Sequence, residues 1–358
     1  MRRNSRITSI SILSLGILAV FISACVFNDI LPGTPTKTSP DTSKDWYTVY
    51  FTDPEASTAS SYKGGPDEAL ATAIDQAQVS VDMAIYDLNL WSITNAVIKA
   101  HQRGITVRLV FESDNLDEPQ IQSIKDAGIQ ILGDRREGLM HNKFTIIDRM
   151  EVWTGSMNYT TNDAYHNDNN LIRISSQRLA QDYTNEFEEM FLDDMFGPDV
   201  VKNTPYPSVQ VDNTQIEVLF SPDDGTAIRL LELIRDAQKS INFLAYSFTS
   251  DSLAEAILSR ARMGVIVSGV FEESQLQLNN GGEYKRIQSA GLNVRLDGNP
   301  RNMHDKVLII DEQIVVTGSY NFSRSAEESN DENTLIIHNA DIAAQYLAEY
   351  NRIFNKGH

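Results

Sequence analysis

Apolar positions along this chain alternate between short runs typical of buried strands and longer runs with helical spacing. Two strand-like runs rich in β-branched and aromatic residues, 79–88 and 240–248, each follow a helix-like stretch. After each run comes a second helical stretch that ends in glycine, 91–104 or 252–264, and then another apolar strand. Strands that alternate with helices in this way predict an α/β sandwich.

The same unit occurs twice in the chain. Residues 140–158, MHNKFTIIDRMEVWTGSMN, and residues 303–321, MHDKVLIIDEQIVVTGSYN, are identical at eleven of nineteen positions, with a constant offset of 163. Unrelated sequences of ordinary composition agree at about one position in such a block. We predict a first repeat over 46–200, a linker over 201–214 and a second repeat over 215–358. Two such halves most simply pack about an approximate two-fold axis, which predicts a monomer that is an internal pseudo-dimer.

The first 25 residues have the pattern of a secretory signal. Three arginines precede an uncharged run over 10–22 that is short for a membrane span. The segment Ile22-Ser23-Ala24-Cys25 resembles a bacterial lipoprotein box. The resemblance implies a signal peptide over 1–24, cleavage before Cys25, and lipid on the thiol and new amino terminus of Cys25. The alternative is an incidental cysteine in an uncleaved anchor.

A tether is expected to follow the signal. We predict a tether over 25–45, because residues 28–45 are dominated by Pro, Thr, Ser, Asp and Lys, a composition that buries little apolar surface and favours an extended, flexible chain. With the lipidated N-terminus, this tether predicts an extracytoplasmic, membrane-anchored lipoprotein of the bacterial cell envelope.

Composition and charge narrow the range of partners. The 358 residues are 41% hydrophobic and 22% charged, which excludes a wholly disordered chain. The formal net charge is −19, and it becomes −22 once the three arginines of the signal are removed. A chain this acidic is poorly suited to broad binding of a polyanion, although a local basic groove is still compatible with it. The single cysteine excludes an intramolecular disulfide.

The duplicated block carries residues suited to phosphate chemistry. On a strand, His141 and Lys143 point to the same face, as do His304 and Lys306 in the second copy. An imidazole beside a fixed ammonium suits attack on a phosphodiester. If the two-fold brings both copies together, the site contains two imidazoles and two ammoniums. The asparagines beyond each Thr-Gly-Ser turn add neutral donors for phosphoryl oxygens, namely Asn158 and Asn321.

The whole pattern, His-x-Lys-x4-Asp followed after six residues by Gly-Ser and then Asn, resembles the HKD motif of the phospholipase D superfamily. The resemblance covers about 310 residues, and both copies fit in full: His141, Lys143, Asp148, Gly155, Ser156 and Asn158, and His304, Lys306, Asp311, Gly318, Ser319 and Asn321. It implies two homologous phospholipase D-like α/β sandwich halves and phosphodiester chemistry without metal or cofactor. One histidine attacks phosphorus to form a phosphohistidine, and the other protonates the leaving alcohol. By the resemblance, His141 attacks, His304 is the acid, and Ser156 and Ser319 contact substrate.

The second repeat is most similar to the small secreted endonucleases of the superfamily, because SNDEN continues their pattern to Glu332. By that resemblance, Glu332 holds the ring of His304 and fixes its tautomer. The first repeat has Asn169 at the equivalent position, with Asp168 beside it. This asymmetry predicts that the two histidines differ in basicity.

Other candidates remain open or are weaker. Asp148 and Asp311 either take part in catalysis or secure the following turn, and the second interpretation is slightly favoured. His166 with Asp163 and Asp168 has the residue types of a metal site, but a solvated Asn/Asp-rich loop is the favoured interpretation and no metal is predicted.

Three functions follow from this sequence. The first is a phosphodiesterase that releases phospholipid headgroups, favoured by the expected lipid anchor and the acidic charge. The second is an endonuclease that cleaves DNA or RNA, favoured by the second motif. The third, a degenerate binding protein, is disfavoured because both motifs are intact.

Overall fold

The computed structural model describes residues 46–278 and 282–358. The predicted signal peptide, the tether and Cys25 lie outside the described residues. The described chain consists of two halves, each built on one mixed β-sheet flanked by helices, as the repeat predicts.

The first half contains seven strands and five α-helices. The strands are β1 (Tyr47–Phe51), β2 (Ser80–Ile85), β3 (Thr106–Phe111), β4 (Gln130–Gly133), β5 (Lys143–Ile147), β6 (Glu151–Gly155) and β7 (Asn170–Ser175). The helices are α1 (Pro66–Gln76), α2 (Trp91–Gln102), α3 (Pro119–Asp126), α4 (Thr161–Tyr165) and α5 (Gln177–Asp193).

The second half repeats this order with one additional strand and one additional short helix. Its strands are β8 (Ser208–Val211), β9 (Thr214–Ser221), β10 (Ser240–Ala245), β11 (Ile266–Phe271), β12 (Asn293–Leu296), β13 (Lys306–Ile310), β14 (Ile314–Gly318) and β15 (Glu332–His338). Its helices are α6 (Thr226–Asp236), α7 (Asp251–Arg262), α8 (Gln275–Leu278), α9 (Tyr284–Ser289), α10 (Arg324–Glu328) and α11 (Ala340–Lys356).

The two sheets have matching strand orders. The first is β1-β7-β6-β5-β2-β3-β4, and the second is β8-β9-β15-β14-β13-β10-β11-β12. In each sheet the three strands joined by helices are parallel, whereas β5 and β13 run antiparallel to their neighbours β2 and β10. The motif-bearing strands β5 and β13 therefore lie in the middle of their sheets, buried along their whole length.

The halves share a central core between their sheets. Helices α5 and α11 pack there, each on the strands of its own sheet, and each also reaches one strand of the other half. Tyr183 and Phe187 of α5 and Tyr346 and Tyr350 of α11 belong to one buried cluster with residues of both sheets. The remaining helices cover the two outer sheet faces and form separate clusters. Because the central core is continuous, each half completes the burial of the other.

Reciprocal hydrogen bonds cross between the halves inside this core. The side-chain oxygen of Asn170 accepts bonds from Thr317 Oγ1 at 2.7 Å and Tyr346 Oη at 3.1 Å. The same bonds recur with the halves exchanged, at Asn333 with Thr154 and Tyr183. The predicted pseudo-dimer is therefore held by a buried polar network as well as by apolar packing.

The predicted linker contains a strand. Strand β8 lies within 201–214 and pairs antiparallel with β9, whose first residue, Thr214, also falls in that range. Hairpin pairing satisfies the backbone groups that a free linker leaves to water. Within the described ranges, no helix is long and apolar enough to cross a membrane.

Candidate active site

Both motif histidines stand at the boundary between the halves, each immediately before its central strand. The backbone N–H of His141 donates to the carbonyl of Asp331 at 3.0 Å, and that of His304 donates to the carbonyl of Asp168 at 2.8 Å. Asp331 and Asp168 are equivalent residues of the opposite halves. Each histidine is therefore placed by the other repeat, which brings the two motifs together as the sequence predicts.

Two buried glutamates, which the sequence analysis did not single out, fix the residues before the histidines. Glu112 Oε2 accepts the backbone N–H of Met140 at 2.9 Å, and Glu272 Oε2 accepts that of Met303 at 2.6 Å. Both glutamates follow a strand, β3 or β11, and both are nearly inaccessible to solvent. Their identity at an offset of 160 was the available sequence signal.

The motif lysines are buried beside their own histidines. Lys143 Nζ donates to the carbonyl of His141 at 2.8 Å, and Lys306 Nζ donates to that of His304 at 2.6 Å. Burial lowers the pKa of Lys143 to about 8. Burial and the neighbouring Lys143 ammonium lower the pKa of Lys306 to about 7. The site therefore holds two buried amino groups whose protonated forms an incoming anion would stabilise.

A tyrosine that was not predicted from the sequence packs against each histidine. The ring of Tyr86 lies edge-on to His141 with centroids 4.9 Å apart, and Tyr246 lies likewise at 4.5 Å from His304. Each ring also lies under the ammonium of its own half, at 4.9 Å for Lys143 and 4.6 Å for Lys306. Each half-buried ring therefore contacts both the imidazole and the ammonium of its own half and limits their movement.

The partner of Glu332 differs from the prediction. Glu332 Oε2 lies 2.8 Å from Nδ1 of His141, not of His304. The residues before β15 cross to the other half and pair beside the first motif, so the carboxylate of the second repeat serves the histidine of the first. Although burial raises it, His141 and Lys143 hold the pKa of Glu332 below its ordinary value. An ionised Glu332 accepts the Nδ1 proton and leaves Nε2 of His141 with its lone pair.

His304 has a different support. Its Nδ1 faces the side-chain oxygen of Asn169 at 3.1 Å, and a carboxylate oxygen of Asp163 lies 3.6 Å away. The predicted asymmetry between the histidines is therefore present in their contacts, with a carboxylate at His141 and an amide at His304.

The two motif serines hold the supporting residues, which corrects the expectation that they contact substrate. Ser156 Oγ donates to Asn169 Oδ1 at 2.8 Å, and Ser319 Oγ donates to Glu332 Oε2 at 2.6 Å. Both side chains are fully buried. Their role is to orient the groups that orient the histidines.

The glycines before these serines allow a close approach of two strands. Gly155 and Gly318 have φ values of 154° and 144°, and a Cβ atom at either would lie 2.3 Å or 2.2 Å from a backbone oxygen of the facing strand. The oxygens belong to Asn170 and Asn333, the residues that directly follow Asn169 and Glu332. Glycine is therefore required for the serine to reach its partner.

The motif aspartates stabilise a backbone turn at the opposite end of the central strands. The carboxylate of Asp148 accepts N–H groups of residues 78–80, and that of Asp311 accepts those of residues 238–240, at 2.6–3.1 Å. Each carboxylate tethers the start of the neighbouring strand, β2 or β10. The catalytic interpretation of these two residues is wrong. Each aspartate does secure a turn, but this turn lies before β2 or β10 and not after the motif.

The motif asparagines are half-buried in both halves. Among the described residues, Oδ1 of Asn158 and Oδ1 of Asn321 have no hydrogen-bond partner. Their predicted role as donors to phosphoryl oxygens stays a prediction.

The Asn/Asp-rich segment after the first motif is not a solvated loop. Asp163 lies in α4, and Asn167, Asp168 and Asn169 are each at most 6% exposed. Asp168 pairs with Arg352 of α11 at 2.5 Å. Backbone pairing with the second half buries this segment, a contact that local composition does not reveal.

Burial favours the neutral form of both histidines. It lowers the pKa of His141 to about 4, against the opposing attraction of Glu332. It lowers the pKa of His304 well below its ordinary value, and the Lys306 and Lys143 ammoniums add to this effect. A nearby negative charge would favour the protonated form of either imidazole.

Paired imidazoles and ammoniums between two α/β halves form the site of a phosphodiesterase-type hydrolase, and comparison with known proteins identifies the family. The family model described as "Cardiolipin synthase, PLD-like domain" matches residues 70–191 and 230–354, one match in each half. The chain belongs to this phospholipase D-like family.

Individual relatives match over about the length of one repeat. "Phospholipase D" of Rickettsia bellii is 28% identical over 163 residues, which cover 44% of this chain and 81% of that protein. "Mitochondrial cardiolipin hydrolase" of Homo sapiens is 33% identical over 140 residues, which cover 38% of this chain and 54% of that protein.

A solved structure matches across both halves. The phosphatidylserine synthase of Haemophilus influenzae Rd KW20 has a TM-score of 0.65 and 16% identity, covering 82% of this chain and 84% of that one. This likeness shows that the two-half fold is shared.

Proposed function

We propose that this protein hydrolyses phospholipid headgroup esters through a covalent phosphohistidine on His141. The observation that carries the proposal is the 2.8 Å contact between Glu332 Oε2 and His141 Nδ1. It fixes the tautomer with the proton on Nδ1 and leaves Nε2 free to attack.

In the first step, Nε2 of His141 forms a bond to phosphorus while the bond from phosphorus to the headgroup oxygen breaks. His304 gives its proton to that oxygen, so the headgroup leaves with a protonated hydroxyl instead of an alkoxide. The anionic diester, held between Lys143 and Lys306, offsets the positive charges that otherwise keep His304 unprotonated.

In the second step, water attacks phosphorus and the bond from phosphorus to His141 breaks. The neutral His304 left by the first step takes the proton from that water. The products are bound phosphatidic acid, a neutral His141 and a protonated His304. When the anionic product leaves, His304 returns to solvent the proton that it took up with the substrate.

Lipid is the favoured substrate because of charge and expected location. The formal net charge of −19 makes approach of a long polyanion unfavourable, whereas a single headgroup phosphate needs only the two buried lysines. Relatives named phospholipase D and cardiolipin hydrolase favour the same class. The alternative, DNA or RNA cleavage, is favoured by the second motif's likeness to secreted endonucleases.

We also propose that Cys25 carries a lipid anchor that keeps the enzyme at a membrane of the bacterial cell envelope. Support comes from the box at 22–25 and the polar tether that follows it. Labelling of the expressed chain with a radioactive fatty acid, and loss of label in Cys25→Ser, test this proposal. Equal labelling of both would overturn it.

The substrate is tested with the full chain in detergent, in the presence of EDTA. Vesicles of phosphatidylcholine, vesicles of cardiolipin and single-stranded DNA are offered in parallel, and headgroup release and DNA fragments are measured. The control is the His141→Ala/His304→Ala double variant.

We expect lipid headgroup release that the double variant loses. Cleavage of DNA alone would replace the lipid proposal with the nuclease one. Absence of turnover on all three substrates would overturn the assignment of substrate class.

A further inference from the structure

The support of His304 lacks the charge that His141 receives. Asn169 is fully buried, and its amide is oriented by Ser156 Oγ, which donates to Oδ1 at 2.8 Å, and by the carbonyl of Asp163, which accepts from Nδ2 at 3.2 Å. Its oxygen therefore faces His304 Nδ1. An amide oxygen accepts the Nδ1 proton, but it does not balance the charge of an imidazolium.

A carboxylate stands directly behind this amide. Asp163 Oδ2 lies 3.6 Å from His304 Nδ1 and accepts the backbone N–H of Asn158 at 2.8 Å. Its Oδ1 accepts from Asn167 Nδ2 at 2.5 Å, and the side chain is 3% exposed. The carboxylate is therefore held in place on α4, without bulk water between it and the ring.

The two repeats place their carboxylates at different positions. The second repeat has Glu332 where the first has Asn169, and it has Ala326 where the first has Asp163. Each histidine consequently lies near one carboxylate from the opposite half. Glu332 contacts His141 directly, whereas Asp163 lies 3.6 Å from His304 beside the amide of Asn169.

Several charged or titratable groups face His304 from the elements around it. Cations come from β13 and β5, the second imidazole precedes β5, a phenol follows β10, and a carboxylate comes from α4. They are Lys306, Lys143, His141, Tyr246 and Asp163. The carboxylates of Asp305 and Glu332 act on the Lys306 ammonium beside the ring. Asp163 is the one described carboxylate within 4 Å of the His304 ring nitrogens.

We propose that Asp163 is the positioning residue that stabilises the protonated form of His304, replacing the carboxylate that Asn169 does not provide. The inference rests on the proposed function, in which His304 protonates the leaving alcohol. Asp163 does not touch substrate; it acts through the imidazolium.

Dependence on the leaving group tests this inference. Asp163→Asn, which keeps the size of the side chain, is compared with the unmodified enzyme on methyl p-nitrophenyl phosphate and on an alkyl diester such as phosphatidylcholine in mixed micelles. p-Nitrophenolate leaves without a proton, whereas an alkoxide needs one. We expect kcat/KM to fall about 100-fold on the alkyl diester and less than about threefold on the aryl diester.

The pH profile gives a second readout. Loss of the negative charge lowers the pKa of His304 in the enzyme–substrate complex, so the alkaline limb of kcat moves to lower pH by about one unit. Asp163→Ala/Asn169→Glu, which copies the arrangement of the second repeat, restores the alkyl diester rate to within about tenfold. Asp168→Asn, a neighbouring buried carboxylate paired with Arg352, serves as the matched control and affects both substrates equally.

Equal loss on both substrates in Asp163→Asn, with an unmoved alkaline limb, would overturn the inference while leaving the proposed function intact. Failure of the unmodified enzyme on both diesters would instead overturn the proposed function. Thermal melting of each variant identifies a loss caused by unfolding.

Discussion

The buried carboxylate of Glu332 has three hydrogen-bonding neighbours, His141 Nδ1 and Ser319 Oγ at Oε2 and Asn330 Nδ2 at Oε1. Replacement by Gln keeps its size but puts a donor and a neutral acceptor in place of the carboxylate. We expect Glu332→Gln to lower kcat by roughly 10²- to 10⁴-fold, because the tautomer of His141 is no longer fixed. Steady-state kinetics on the aryl diester measure the effect.

Ser319→Ala is the matched comparison, since it removes one bond to the carboxylate and leaves the charge. A loss of about tenfold is expected from an outer partner of this kind. Similar losses in the two variants would contradict the primary role given to the carboxylate.

The lowered pKa values of the two buried lysines determine how kcat/KM should depend on pH. The pKa values of Lys306 and Lys143 are lowered to about 7 and about 8, so each ammonium loses its charge as pH rises through that range. Because the free enzyme must offer cations to an anionic diester, kcat/KM falls by at least about tenfold between pH 7 and pH 9, the loss expected from Lys143 alone. A diester does not titrate there, so a profile that stays flat to pH 9 would contradict this prediction.

The sequence predicted which residues belong to the site better than it predicted which of them contact one another. The duplicated spacing located His141, Lys143, His304 and Lys306. Core packing does not explain why a polar His-x-Lys pair recurs at the same position of both repeats, so its recurrence indicates a functional role. The partner of Glu332 was assigned wrongly, since the choice between two equivalent histidines depends on how the halves cross. Tyr86 and Tyr246 carried a signal, identity at an offset of 160 after a strand, but their contacts with the imidazoles appear only in the packed structure.

At the scale of elements, the close approach of β14 and β15 positions the support of His141. Gly318→Ala places a Cβ atom 2.2 Å from the carbonyl oxygen of Asn333, at a φ of 144° that L residues rarely adopt. We expect a loss of roughly 1–3 kcal/mol in the free energy of unfolding, together with reduced kcat, because Ser319 and Glu332 shift apart. Chemical denaturation and kinetics of the same preparation measure both quantities.

Gly282→Ala provides the control for this change. A Cβ atom at Gly282 meets no atom of the described residues within 4 Å, so stability and rate should stay near those of the unmodified enzyme. Unaltered stability in Gly318→Ala would contradict the strand approach described for the motif.

Elements were predicted well where their burial pattern is local. The helices α1, α2, α6 and α7 and the strands beside them follow the apolar periodicity of the sequence. Strand β8 and the buried segment around Asn167 were not predicted. Prolines precede β8 in the sequence, and the segment around Asn167 is polar. Both take their structure from backbone pairing, β8 with β9 and Asp168 with Met303 of the second half.

At the scale of the whole molecule, one chain supplies both histidines to one site. The central core joins the halves, and Glu332 of one half supports His141 of the other. Mixing His141→Ala protein with His304→Ala protein is therefore expected to restore no activity. Activity of the mixture at equal concentrations measures this directly.

Recovery of about a quarter of the activity, which random pairing of two complementing chains would give, would contradict the single-chain site and indicate that the halves exchange between molecules. Light scattering of the same mixture would then report the exchanged dimer.

The most direct test of the account is to identify the residue that becomes phosphorylated. His304→Ala enzyme is mixed with methyl p-nitrophenyl phosphate, quenched in alkaline denaturant within the first turnover, digested and analysed by mass spectrometry. Without His304 to activate water, the intermediate accumulates while the aryl group still leaves. We predict a methylphosphoryl adduct on His141 and no adduct in His141→Ala. An adduct on another residue, or first-turnover release of p-nitrophenol without any adduct, would contradict the account.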